Sequence, residues 1–110
     1  MSKKEFGKIK SAEFGACGYQ EACLGVRLTL GGESWGVRAD ITGGWDVVRS
    51  ESAQWTEDDR IKAHGEMCLK LSAILKDAKV NSVSRLVGIP IEAEFDGTKL
   101  VNWRVMKEVL

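Results

Sequence analysis

His64 and Cys68 stand four residues apart, so on a helix they share one face, and Cys17 and Cys23 would complete a Cys3His set of the kind that holds zinc. The same histidine and cysteine are the material of a thiol–imidazole dyad, which also needs a third group to orient the base. Against both readings, His64 and Cys68 fall in the apolar stripe of that helix, and cysteine is buried more than most residues even where it does nothing. Cys23 falls on the strand face turned away from the core. Glu57, Asp58 and Asp59 offer paired carboxylates for acid–base or metal chemistry. A solvated helix start, where the macrodipole favours negative charge, accounts for them more simply. The chain has no phosphate-binding loop, dinucleotide fingerprint, nucleophile elbow, HExxH or CxxC. We therefore expect a protein that is not an enzyme, with no catalytic residues, no metal and no cofactor.

Binding chemistry is better represented. Arg27 and Arg38 fall on the outer face of neighbouring strands, flanked by Gly25 and Gly36, and two guanidinium groups there could clamp a phosphate or carboxylate. Asp40 or Glu21 could equally neutralise them. Trp45 and Trp55 lie in loop-like contexts, where an indole serves as a lid over the core or as a stacking platform. The ligand-binding candidates are thus Arg27, Arg38, Trp45 and Trp55. Trp35 and Trp103 alternate with polar residues on strands and read as core.

The elements that position these residues follow from periodicity. Phe6–Phe14 reads as a first strand and Gly15–Gln20 as a loop. Over Glu21–Leu30 the residues Ala22, Leu24, Val26, Leu28 and Leu30 face inward. A two-residue Gly31-Gly32 turn would pair Leu30 with Glu33 and Leu28 with Trp35, and set Arg27 opposite Gly36. Trp35, Val37, Ala39 and Ile41 make the next inward row. Thr42–Ala53 reads as a loop, with a short irregular strand at Asp46–Val48. Thr56 caps a helix over about 56–78, with Ile61, His64, Met67, Cys68, Leu71, Ile74, Leu75 and Ala78 on its apolar side. Asn81 or Ser82 starts a short second helix that Gly88 closes. The end is a β-hairpin. Burying Trp103 and Val105 there, rather than Asn102 and Arg104, requires an odd offset, assigned to a bulged Phe95-Asp96-Gly97 turn.

The predicted fold is a single α+β domain over 1–110: an antiparallel sheet of about five strands, one main helix, a short second helix and a C-terminal β-hairpin. At 110 residues the chain can bury one core without staples. Lys plus Arg is 16 and Asp plus Glu is 16, so no basic excess exists to track a phosphate backbone. Nucleic acid is disfavoured as a partner though not excluded. No apolar stretch approaches a membrane span, and MSKKEFGKIK lacks the apolar core of a signal peptide, so a cytoplasmic protein with reduced thiols is expected. Small domains gain burial by pairing, and an edge strand needs covering, so we expect a homodimer.

The tail GIPIEAEFDGTKLVNWRVMKEVL resembles the ending of a family of small phage and prophage accessory proteins, G-x-P-V-E-V-x-F-[DE]-G-x-x-L-x-x-W-R-[IV]-L-x-E-V-L. Gly88, Pro90, Glu92, Phe95, Asp96, Gly97, Leu100, Trp103, Arg104, Glu108, Val109 and Leu110 match, whereas Ile91 and Ala93 replace valines and Met106 replaces leucine. The stretch KIKSAEFGACGYQEACLGVRLTLGG is similar to that family's opening. The resemblance brings no established activity, and so no site residues. It implies a phage gene product in bacterial cytoplasm. The function it frames is a binding protein for counter-defence or host takeover, sequestering a small nucleotide signal or blocking a host protein. Two alternatives stand beside it: an accessory of phage DNA replication or recombination that contacts single strands, and a cryptic hydrolase or zinc protein.

Overall fold

The computed structural model describes residues 2–110. They form an α+β domain: an antiparallel sheet of six strands, one long helix and three single-turn 3-10 segments. The strands are β1 (Ser2–Cys17), β2 (Cys23–Gly31), β3 (Gly36–Arg38), β4 (Ile41–Trp45), β5 (Pro90–Asp96) and β6 (Lys99–Val105), and the helix is α1 (Glu57–Ala78). The sheet runs β3-β2-β1-β5-β6, with β4 also paired to β2. The expected class and the C-terminal hairpin are present. The short second helix is a 3-10 turn at Val83–Leu86, closed by Gly88 at φ 91°.

β1 is longer than the expected Phe6–Phe14, because it serves two partners. Lys8–Cys17 pairs with β2, and Ser2–Lys8 pairs with β5 on the opposite edge. A bulge between Ile9 and Ser11 turns the strand by one residue. It lets Ile9 and Ala12, which are out of phase in a simple alternation, both face the core. The predicted loop at Gly15–Gln20 therefore starts only at Gly18, and β2 begins at Cys23 rather than Glu21.

The β2–β3 register differs from the expectation. Gly31 pairs with Gly36 and Leu30 with Val37, so the loop is Gly32–Trp35, closed by the Gly32 N–H donating to the Trp35 carbonyl. Face parity survives, and Val26, Leu28 and Leu30 are buried. What the two-residue turn missed is the place of Trp35. Its indole lies across the backbones of Gly7 and Gly32, where added Cβ atoms would come within 2.8 and 2.2 Å of it. It also meets Phe95 edge-on, with centroids 5.2 Å apart. That packing outweighs a tight turn, since an aromatic ring carries far more buried area than Glu33.

Thr42–Ala53 is not wholly loop. Ile41–Trp45 forms β4, and Asp46–Val48 is not a strand. Two glycines in β4 hid it, because glycine weakens a strand pattern. Here they are required. Met67 and Ala63 of α1 come within 3.1 and 2.8 Å of where Cβ atoms on Gly43 and Gly44 would lie, so the helix sits directly on the strand backbone.

α1 starts as expected. The Thr56 side chain accepts from the Asp59 N–H while the Asp59 carboxylate accepts from the Thr56 N–H, a capping box worth about 1 kcal/mol. Its buried stripe is narrower than predicted. Met67 and Ala78 are buried, and Leu71, Ile74 and Leu75 are partly buried against the core that includes Ala78. Ile61 and Cys68 are instead exposed. Cys68 is one residue, about 100°, round the helix from Met67.

The terminal hairpin puts Val105 in the core and Trp103 against it, as expected, but by another route. Asp96 pairs with Lys99 across a Gly97-Thr98 turn with Gly97 at φ 64°, and the odd residue is absorbed at Val101, between the Glu94–Asn102 and Phe95–Leu100 pairs. The bulge sits inside β6, not at Phe95-Asp96-Gly97. The core joins Ile9, Val26, Leu28, Leu30, Leu86, Ile91, Ala93 and Phe95, and each of these side chains larger than alanine contributes roughly 1.5–3 kcal/mol.

Candidate functional site

The outer face of β2 and β3 carries the predicted arginines. Arg27 is opposite Glu13 across the strand pair, not opposite Gly36, and Arg38 is opposite Thr29. Both therefore sit over the same part of the sheet. Each already holds carboxylate: Arg27 bonds Glu13 at 3.0 Å and lies 3.6 Å from Glu21, and Arg38 bonds Asp40 at 2.6 Å. The other Asp40 oxygen accepts from the Leu28 N–H. Two cations thus face three carboxylates, and an incoming anion would have to displace a resident one.

Cys17 and Cys23 are direct partners at the end of the β1–β2 ladder, under this network. Cys17 is buried. Burial raises its thiol pKa, the neighbouring Asp40 and Cys23 raise it further, and Arg38 and Arg27 only partly offset this. A thiol so disposed stays protonated, and the thiolate is the form that attacks or ligates. Its zinc partners lie elsewhere. His64 Nδ1 bonds the Gly43 carbonyl on the buried side of α1, and Cys68 is exposed to solvent. Among the described residues no three His, Cys, Asp or Glu side chains converge as metal ligands.

The loop tryptophans are placed apart from each other. Trp45 ends β4 opposite Cys23 and is 38 % exposed. Trp55 precedes the helix cap with the Arg60 guanidinium 4.6 Å from its ring centroid. Arg60 also donates to the Val47 carbonyl, and Arg49 donates to the Trp55 carbonyl. That loop is thus pinned to the start of α1 through arginine. Among the described residues, no hydrogen bond, ion pair or stacking contact joins Trp45 or Trp55 to Arg27 or Arg38.

An open groove lies elsewhere, and periodicity gave no sign of it. The sheet coils until its two ends face each other across α1. Ala39–Thr42 on one side, Leu100–Val105 of β6 on the other, and Lys70, Ala73, Ile74 and Asp77 of α1 bound an open groove of about 620 Å³. That lies within the range of small-ligand and peptide clefts. Ile41, Ile74, Leu100 and Trp103 line it with apolar surface, while Lys70, Arg104, Asp40 and Asp77 balance its charge. Arg104 is held by Glu92 at 3.2 Å and Glu108 at 2.9 Å, contacts that raise the guanidinium pKa and lower that of Glu108. A second hollow of about 480 Å³ lies by Trp35, Phe95 and Gly97. Neither hollow is lined by Arg27, Arg38, Trp45 or Trp55.

Fold and groove together define a small α+β domain with an open, charge-balanced cleft between the ends of its sheet. Compared with protein-family models, curated proteins and solved structures, the chain has no match. Among the described residues no helix is long and apolar enough to cross a membrane.

Proposed function

We propose that this is a non-enzymatic binding protein of a phage, which acts in the cytoplasm of a bacterial host by blocking a host protein, for counter-defence or host takeover. It does so as a homodimer, each copy taking a segment of the target into the groove between α1, β6 and the β3–β4 link. The groove itself carries the reading: it is open, and its lining joins the apolar Ile41, Ile74, Leu100 and Trp103 to two cations and two carboxylates. A polypeptide segment suits that pattern. A nucleotide wants cations with no carboxylate of their own, and here each predicted arginine is already paired. The phage context rests on the resemblance of the tail.

Photo-crosslinking tests it. A photoreactive residue at Val101 in the groove wall should give one discrete protein adduct in bacterial cells, and the same residue at Val48, away from the groove, should not. Calorimetry with cyclic and linear nucleotides should show no binding below millimolar. Absence of the Val101 adduct, together with nucleotide binding that Arg38→Ala abolishes, would return the function to the arginine face.

A further inference from the structure

α1 has a second apolar face that nothing in its own chain covers. Ile61 is 68 % and Leu69 74 % exposed, and Cys68 is exposed beside them. Gly65 lies between the two large side chains, one turn from each. An interior glycine is unfavourable in a helix relative to alanine. At Gly65 a Cβ would meet nothing within 4 Å, so the packing of the single chain gains nothing from its absence. A bare backbone flanked by Ile61 and Leu69 is, however, what permits close approach of another helix.

We infer that this face pairs with the same face of a second copy, as an antiparallel helix pair in which Leu69 of each protomer seats over Gly65 of the other. The choice of a second copy follows from charge. α1 opens with Glu57, Asp58 and Asp59, has Lys76 in its last turn and is followed by Lys79. Asp58 lies seven residues before Gly65, and Lys76 lies seven after Leu69. The register that opposes Leu69 to Gly65 therefore opposes Asp58 to Lys76 as well, and the two-fold axis repeats both contacts. A parallel pair would set acidic start against acidic start and basic end against basic end. Along α1 the ion pairs are Arg60–Glu57 and Lys107–Asp77, which leaves Asp58 and Lys76 for an intermolecular partner. The inference rests on the homodimer of the proposed function, and not on its groove.

Sedimentation at micromolar concentration reads the result. The wild type should run at twice 12.1 kDa. Leu69→Glu should run as a monomer with unchanged far-UV circular dichroism, because the side chain is exposed. Asp58→Lys and Lys76→Asp should each weaken the dimer by about tenfold or more, and the double variant should restore it. Restoration needs no assumption about folding of the Leu69 variant. A wild type that stays at monomer mass overturns both the homodimer and this surface, leaving the groove untouched. A dimer indifferent to Leu69→Glu and to both charge reversals overturns the surface alone. If Val101→Lys on the open edge of β6 then dissociates it, the contact lies along that strand.

Discussion

Replacing Gly44 by alanine should be among the most damaging single-methyl changes in the chain. Two separable causes act at this position. Gly44 holds φ 85°, where an L side chain costs about 1–2 kcal/mol. The new methyl would also stand 2.8 Å from the Ala63 Cβ, well inside contact distance. Relieving that overlap means lifting α1 from β4, and overpacking of this kind costs typically about 1–3 kcal/mol. The sum is roughly 2–5 kcal/mol, or a midpoint lowered by roughly 8–20 °C in a domain of this size. A thermal melt followed by far-UV circular dichroism measures it. The causes separate in a double-mutant cycle with Ala63→Gly. In that background the overlap is gone, and Gly44→Ala should cost only the torsional part. An unchanged midpoint, or equal costs with and without the Ala63 methyl, would refute the close seating of helix on strand.

Gly97→Ala offers a contrast: φ is 64° but nothing lies within 4 Å, so only the torsional cost of about 1 kcal/mol should appear, and a melt equal to wild type would argue against the Gly97-Thr98 turn. Alkylation by iodoacetamide under native conditions should modify exposed Cys68 rapidly and buried Cys17 only on unfolding, as peptide mass mapping would show; equal rates would contradict the burial of Cys17. The raised Cys17 pKa also implies stability that is intact below the ordinary thiol range and falls as pH rises through it, because the unfolded chain then loses the proton first. Glu108 should titrate below an ordinary glutamate by NMR and return upward in Arg104→Gln, so its small stabilisation is present above the usual carboxylate range and is lost as pH falls through its lowered pKa. An unmoved Glu108 would mean that the Arg104 contact is not populated in solution.

Periodicity made the architecture legible wherever one face alternates cleanly with the other. The inward row Val26, Leu28 and Leu30, the Thr56 cap and the inward turn of Trp103 and Val105 were all readable for that reason. Legibility failed where a strand breaks step. The bulge at Lys10 lengthened β1 beyond its apparent pattern, the one at Val101 moved the hairpin offset into the strand, and Gly43-Gly44 disguised β4. Register was misread at Gly31-Gly32 because turn chemistry is local, while the pocket that receives Trp35 is made by Gly7, distant in sequence. The same limit hid the groove. Its walls come from residues near 40, near 74 and near 103, which only the coiling of the whole sheet brings together. Outward placement of Arg27 and Arg38 was readable from alternation. Their partners were readable only in part: Glu21 and Asp40 lie near in sequence, whereas Glu13 depends on the β1–β2 register.

The division of β1 between two partners has a bearing on how the chain is made. Its second half can pair with β2 as soon as the chain has been made through Gly31, whereas Ser2–Lys8 must wait for Pro90–Asp96. Closing that contact early is opposed by loop entropy, and distant pairings of this sort slow folding. In the interval the front of β1 is a strand edge with no partner. Its sequence, SKKEFGK, places Lys3, Lys4 and Lys8 along that waiting edge. Positive charges at such spacing discourage one unfinished molecule from templating on the next. Lys4 afterwards comes to within 3.9 Å of Glu92 on the strand that finally arrives. The lysines would thus guard the edge during synthesis, and they stay exposed to solvent once it has closed.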